Sequence, residues 1–527
     1  DERIASFLDG DREFDARIRD CVDVVPETAA EVPIAVDPQV VERLLSSIRI
    51  YGSSQAWEVA PTFYLHGPPS ASKILVAQSC CRALDIPILQ MDAEQLSASP
   101  LGFQAAMPLV MREAFLQGAA LYVDKIDLVL EQDPASLRLR SLMQCLDAHR
   151  GAPTFLVGER PWRWALPAAR APWLPVQLHR PAYPEQIATW QLALGSRGGF
   201  SARDASWLAS IHPLPAPRAM AAVRSAEAAA VLSGNDRATL ADVVRACREL
   251  SQPNFGQLAR KIEGNQTWDD LVLPAAPLQQ LRDICVQAKY RCHVYGTWGF
   301  DAKLPLGKGL NVLFAGPSGT GKTMSAQIIA NDLGVDVYKI DLSQVVSKYI
   351  GETEKNLHQI FATAQAANVI LFFDEADALL AKRSDVKDAH DRYANLEVAY
   401  LLQKMEEYEG ITILATNLRR NIDEAFARRI RFIVEFPAPS EEDRLRIWQG
   451  IWPKELPLSS EVEFTRLARQ FKLSGGSIRN VAVCAAFLAA EPNEPVGMRH
   501  LTVAVKRELQ KMGRLLDDEY CEGQGEP

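Results

Sequence analysis

Three short apolar runs recur in each half of the chain. They are 62–65, 119–123 and 154–157 in the first half, and 310–315, 369–373 and 411–415 in the second. Runs of this length without polar alternation predict strands buried on both faces, as in a parallel sheet covered by helices. Longer stretches with helical spacing lie between and after them. One is 324–333; another follows Pro437-Ala438-Pro439, where Leu445, Ile447, Trp448 and Ile451 share one face. The runs keep a common spacing. Asp124 mirrors Asp374 at 250 positions, Trp190 repeats Trp448 at 258, and 91–102 aligns without a gap with 340–351. A period near 250 is that of a duplicated domain, far longer than a solenoid repeat.

Length agrees with duplication, because 527 residues exceed the roughly 250–300 at which single cores stop growing. No apolar run approaches the ~20 residues of a membrane helix, so membrane insertion is not expected. Nine cysteines without C-x-x-C spacing suggest neither a zinc site nor a disulfide framework, and a reducing cytoplasmic setting fits them best. The chain opens on Asp1 without a signal-like segment, which suggests the ordered part of a longer protein. A net charge of −9 argues against a general nucleic-acid binder.

The candidate chemistry sits at the ends of the apolar runs. Gly316-Pro317-Ser318-Gly319-Thr320-Gly321-Lys322-Thr323 is a complete G-x-x-x-x-G-K-T loop between a strand and the helix that opens at Met324. Glycines let backbone N–H groups turn toward phosphates, Lys322 reaches the β and γ oxygens, and the Thr323 hydroxyl can ligate Mg²⁺. The run 369–373 delivers Asp374-Glu375 at its C-terminal end, where parallel sheets place their ligands. Asp374 would hold Mg²⁺ through water and Glu375 would polarise the attacking water. The run 411–415 ends in Thr416-Asn417, whose amide can orient that water or touch the γ-phosphate.

Gly316 to Thr323, Phe372 to Asp377, Ala415-Thr416-Asn417 and 423–429 together resemble the AAA+ ATPases of the katanin, spastin and valosin-containing-protein subgroup, from about Trp268 onward. The resemblance implies tandem α/β modules, each a P-loop parallel-sheet domain with a small helical lid, that bind ATP with Mg²⁺. It also implies a homo-oligomer, in most such proteins a hexamer. There an arginine from the neighbouring subunit reaches the γ-phosphate; Arg428 matches the first finger position, and Arg429 or Arg431 the second. Tyr349 and Ile350, before Gly351, match the pore loop that grips an extended polypeptide, a task suited to the non-selective contact of an aromatic ring. The loop 387–392 is a second candidate for the pore. Asp270 and Val272 match the segment that wraps adenine, Ile447 the residue against the base, and Gly476 and Ser477 the turn opening the lid helix, which Ser477 would cap.

The same resemblance exposes losses in the first half. Its loop, Gly67-Pro68-Pro69-Ser70-Ala71-Ser72-Lys73-Ile74, has Ser72 for the last glycine and Ile74 for the metal-binding hydroxyl. Lys125 stands for Glu375, Glu159 for Asn417 and Pro100 for Tyr349. This module is expected not to turn over ATP and to serve as an inert tier of the ring.

The resulting layout is an N-terminal linker or helical segment over 1–38 and a degenerate module over 39–250, with its lid from about 181. A connector follows over 251–264, then an active module over 265–515 with its lid from about 440, and an acidic tail over 516–527. The expected function is an ATP-driven motor that remodels or unfolds a polypeptide threaded through the pore. The run 391–410 and the inert first module also resemble the ATPases of extracellular contractile injection systems, which would imply effector loading or particle assembly. An ATP-switched scaffold without threading is the alternative, and a nucleic-acid motor a weaker third.

Overall fold

The computed structural model describes residues 2–10, 13–25, 37–53, 61–68, 73–131, 137–149, 151–162, 172–195, 199–304, 307–345, 352–377, 389–417 and 428–513. The chain divides into two compact units, 1–243 and 244–527.

Each unit holds a six-stranded sheet. In the first unit the strands are β1 (Val22–Val25), β2 (Thr62–His66), β3 (Ile88–Asp92), β4 (Ala120–Asp124), β5 (Thr154–Gly158) and β6 (Trp173–Gln177), in spatial order β1-β3-β4-β5-β2-β6. In the second they are β7 (Ala259–Ile262), β8 (Leu310–Ala315), β9 (Val337–Ile340), β10 (Ile370–Phe373), β11 (Ile411–Thr416) and β12 (Phe432–Glu435), in order β7-β9-β10-β11-β8-β12. The two orders are the same. Within each sheet every pairing is parallel except that of the edge strand, β1 on β3 and β7 on β9. The six runs read from hydropathy lie within or one residue from β2, β4, β5, β8, β10 and β11. They are the central strands, buried on both faces.

The pairing register is duplicated as well. Thr62 faces Thr154 and Asn311 faces Thr412; Ile88 faces Ala120 and Val337 faces Ile370; His66 faces Gln177 and Ala315 faces Glu435. The offset between equivalent residues is thus 249 on β2 and β3, 250 on β4 and 258 on β5 and β6. Because a one-residue slip would turn every side chain to the other face, conservation of register is conservation of the cores. Those cores lie on both faces of the first sheet, one around Leu121, Val123 and Leu156, the other around Phe63, Phe155 and Tyr122.

The stretches expected as an N-terminal linker and as a connector both enter a sheet. β1 lies within 1–38 and β7 within 251–264, at equivalent places in the two sheets. Ile18 before β1 and Phe255 before β7 are buried in the adjoining cores. The N-terminal stretch is held further by an ionic cluster. Glu113, fully buried on the helix Gly102–Gln117, accepts from Arg3 Nε at 3.0 Å and Arg112 at 3.2 Å, and Arg112 also reaches Asp15 at 2.5 Å. Arg17 and Arg112 hold the Asp15 carboxyl well below the usual carboxylate range. Removing one partner from such a buried cluster costs about 3–5 kcal/mol, so these residues are integral to the module. A four-residue strand at a sheet edge carries too little pattern to be told from a turn, which is why hydropathy missed both.

Each unit also has a helical lid around one tryptophan, Trp190 or Trp448, both wholly buried. No described helix is long and apolar enough to cross a membrane.

Candidate nucleotide site

The loop 316–321 leaves β8 and enters the helix Lys322–Leu333. Gly316 is required by packing: a Cβ there would lie 2.1 Å from the Phe436 carbonyl oxygen, where Phe436 N–H bonds to Ala315 O at 2.8 Å beyond β12. Gly319 and Gly321 have φ of +77° and +100°, the left-handed region glycine tolerates. Thr320 Oγ1 donates to Pro317 O at 2.9 Å and braces the turn. Thr323, exposed, and Met324, half-buried, open the helix, while Ser318 is exposed at the tip.

Lys322 is buried and joins the loop to the sheet. Its amine donates to Gly316 O at 2.6 Å, Pro317 O at 3.0 Å and Asn417 Oδ1 at 2.9 Å. Burial pushes its pKa down, and the facing carboxylates of Asp374 and Asp377 oppose that shift. The loop lysine and the asparagine at the end of β11 are therefore in direct contact. Asp377 holds that asparagine. Its Oδ1 accepts from Asn417 N at 2.9 Å and from the Thr416 hydroxyl. Asp377 closes the Phe372 to Asp377 motif, and its signal in the sequence is a carboxylate two residues after the acidic pair. Replacing Asp377 by Ala is expected to lower ATP turnover about tenfold with nucleotide affinity nearly unchanged. Phosphate-release kinetics beside equilibrium binding check this.

Asp374 and Glu375 leave β10 as expected. Asp374 Oδ1 accepts the Glu375 N–H at 3.0 Å, and Oδ2 meets the Lys339 amine at 2.5 Å. Glu375 is exposed and has φ of +53°, unusual for a non-glycine residue, which projects its carboxylate off the strand end. Exposed Thr323 brings a hydroxyl and Asp374 a carboxylate, oxygen donors of the kind Mg²⁺ takes beside phosphates, while the loop N–H groups and the Lys322 amine suit the phosphates themselves. The residues present fit a Mg-nucleotide.

The lid closes over the loop. Gly476 N–H donates to Gly319 O at 2.9 Å, and a Cβ on Gly319 would sit 2.8 Å from Ser474 Oγ. The helix Gly475–Ala490 is capped by Ser474, whose hydroxyl accepts from Ser477 N–H at 3.2 Å. The cap is thus Ser474, not Ser477, because the helix starts three residues earlier than expected. Ser477 is buried within the first turn. Ile447 Cδ1 lies beside Gly475, and Leu271 Cδ1 beside Gly321. The Asp270 carboxylate is taken up locally, accepting from Thr267 N at 2.7 Å and Oγ1 at 3.0 Å, and Val272 is half-buried. Leu271, between the two expected residues, is the side chain that reaches the loop.

The three arginines diverge. Arg428 is exposed; Arg429 pairs with Glu406; Arg431 is exposed and donates to Tyr295 Oη at 3.1 Å. Tyr349 and Ile350, residues 387–388 and 423–427, and the acidic tail 516–527 lie outside the described residues, as do Pro69 to Ser72 of the altered loop.

The first unit keeps the scaffold and changes the groups on it. Gly67 is packed as Gly316 is, with a Cβ 2.1 Å from Leu178 O. Lys125 has the backbone of Glu375, φ +54°, and its N–H likewise donates to Asp124 Oδ1, at 2.9 Å. Its amine, however, is tied to Asp92 at 2.9 Å and Glu94 at 3.1 Å. Asp127 holds Glu159 N–H at 2.9 Å as Asp377 holds that of Asn417. Around buried Lys73 there are thus three carboxylates, Glu159, Asp124 and Asp127; burial pushes the Lys73 amine down and these acids oppose it. Burial raises the pKa of Glu159 and Asp124.

Residues 312–438 match the family model "ATPase family associated with various cellular activities (AAA)". Proteasome-activating nucleotidase 1 of Haloferax volcanii is 32% identical over 231 residues, covering 42% of this chain and 55% of that protein. A cell division cycle protein 48 homologue of Archaeoglobus fulgidus is 24% identical over 469 residues, 81% of this chain and 62% of that protein, an alignment long enough to take in both units. Human ATPase family gene 2 protein homologue A is 32% identical over 227 residues, 41% of this chain and 25% of that protein. The chain spans about half the length of the proteasome-activating nucleotidase it matches. Motifs, sheet topology and these relatives together mark residues 312–438 as an AAA ATPase domain, in a unit whose sheet topology the first unit shares.

Proposed function

We propose that the chain is the subunit of an oligomeric ATP-driven motor in which the second module alone turns over ATP and the work is done on a polypeptide. The observation that carries this reading is the contrast at one backbone position. Glu375 presents an exposed carboxylate at the end of β10, whereas Lys125, in the same left-handed conformation, presents an amine tied to two acids. A carboxylate there can accept a proton from an attacking water; an ammonium cannot.

In the second module Lys322 would neutralise charge on the terminal phosphates, with the loop N–H groups around them. Asn417, fixed by Asp377, would orient the water that Glu375 deprotonates. Bound Mg²⁺, held through Thr323 and Asp374, would supply charge neutralisation at the β and γ oxygens. Arg428 is the candidate to complete a neighbouring subunit's site. Arg429 and Arg431, engaged by Glu406 and Tyr295, fit better as supports of that segment. Ring assembly, in six copies by resemblance, follows from a site that needs an arginine in trans.

The polypeptide substrate is tied to Tyr349 and Ile350 by resemblance. Replacing Tyr349 by Ala is expected to abolish unfolding of a tagged reporter protein while ATP-dependent assembly, followed by sedimentation, persists. Retained unfolding would leave the scaffold reading in its place. The finer partner assignment, effectors or components of a phage-tail-like contractile injection particle, rests on the 391–410 run and the altered first module, and the relatives named above do not bear on it.

A further inference from the structure

We propose that Lys339 is a built-in cation that competes with Mg²⁺ for Asp374 and so sets how much Mg²⁺ the nucleotide site demands. The inference rests on reading the second module as a Mg-ATP site. Lys339 lies on β9 and pairs in register with Phe372 of β10, two residues before Asp374. Its amine is 2.5 Å from Asp374 Oδ2, while Oδ1 accepts the Glu375 N–H at 3.0 Å. Both oxygens of the carboxylate are therefore engaged within the chain. The contact is also open to exchange, since the Lys339 side chain is 37% exposed and that of Asp374 21%.

A lysine amine is a compact charge on a flexible stem, able to leave a carboxylate without moving the backbone. A hydrated divalent cation brings twice the charge to the same oxygens. The two are alternative partners for Asp374, and the metal must displace or share with the amine. The fold does not require this lysine. At the equivalent register position of the first sheet Gln90 faces Tyr122, and that sheet closes with the same topology. In the first module the cation near the strand ends comes instead from Lys125, on Asp92 and Glu94 rather than on Asp124.

The test uses the full chain and a fluorescent ATP analogue, with binding followed against Mg²⁺ concentration and, separately, in EDTA. Lys339→Gln is expected to lower the half-saturating Mg²⁺ about tenfold, the size of one partly screened charge interaction. Lys339→Arg should stay within about twofold of the parent, and binding in EDTA should be unchanged in both. An unchanged Mg²⁺ requirement in Lys339→Gln, with only the unfolding temperature shifted, would make Lys339 a structural residue and overturn the inference. Weaker binding of that variant in EDTA would overturn it too, by placing the amine on the phosphates. Failure of the parent chain to bind the analogue at all would remove the Mg-ATP reading, and this inference with it.

Discussion

Glu375→Gln is expected to cut ATP turnover by about 10²-fold or more while nucleotide binding stays within a few-fold of the parent. The substitution is nearly isosteric and removes only the capacity to accept a proton, a contribution of about 10²–10⁴ for a positioned general base. The local backbone should survive it, because the N–H bond from residue 375 to Asp374 does not involve the side chain. The measurement is steady-state phosphate release alongside equilibrium binding. Electron microscopy of the same variant with ATP should show a ring with nucleotide in the second tier only. Turnover retained above a tenth of the parent rate would remove Glu375 from the base role. The reciprocal change tests the first module: Lys125→Glu in a Lys322→Ala background should restore no turnover, since Ser72, Ile74 and Glu159 remain.

Gly316→Ala is expected to destabilise the second module by about 3 kcal/mol, within the range of forced overpacking. The added Cβ would meet a backbone carbonyl, that of Phe436, which cannot rotate aside as a side chain can. For a module of this size the melting temperature should fall by roughly 6–12 °C. Gly67→Ala makes the discriminating partner experiment. It carries the same 2.1 Å clash, with Leu178 O, and adds strain from a φ of +148°. If the first glycine of the loop served only nucleotide, Gly67→Ala would be silent in a module whose loop has Ser72 and Ile74 where the second has Gly321 and Thr323. Calorimetry of both variants, nucleotide-free, should instead show losses in both, and a silent Gly67→Ala would refute the packing account.

The central strands were legible in the sequence because burial on both faces writes itself as unbroken apolar runs such as Phe372-Phe373 and Phe63-Tyr64-Leu65. The loop and the acidic pair were legible because their chemistry needs particular residues at particular spacings. What escaped notice depends on partners distant in the chain. β1 and β7 are defined by the strand they pair with, not by their own pattern. Asp377 acquires its task only when β11 is brought alongside β10, and Leu271 only when its segment folds back on Gly321. The Ser474 cap was missed because a glycine pair can be read either as a loop or as the first turn of a helix.

The constant offsets within the two sheets also say where this architecture tolerates length. From β2 to the end of β6 the second copy is longer at two places: by one residue between its third and fourth strands, and by eight between Asp374 and Thr412 relative to Asp124 and Thr154. Every pairing ladder on either side is untouched by the change. The β10–β11 crossover is therefore where this fold absorbs length: exchanging 376–410 for 126–152 would keep all strand partners in step and leave Glu375 in place, while replacing core residues such as Leu401 and Tyr408.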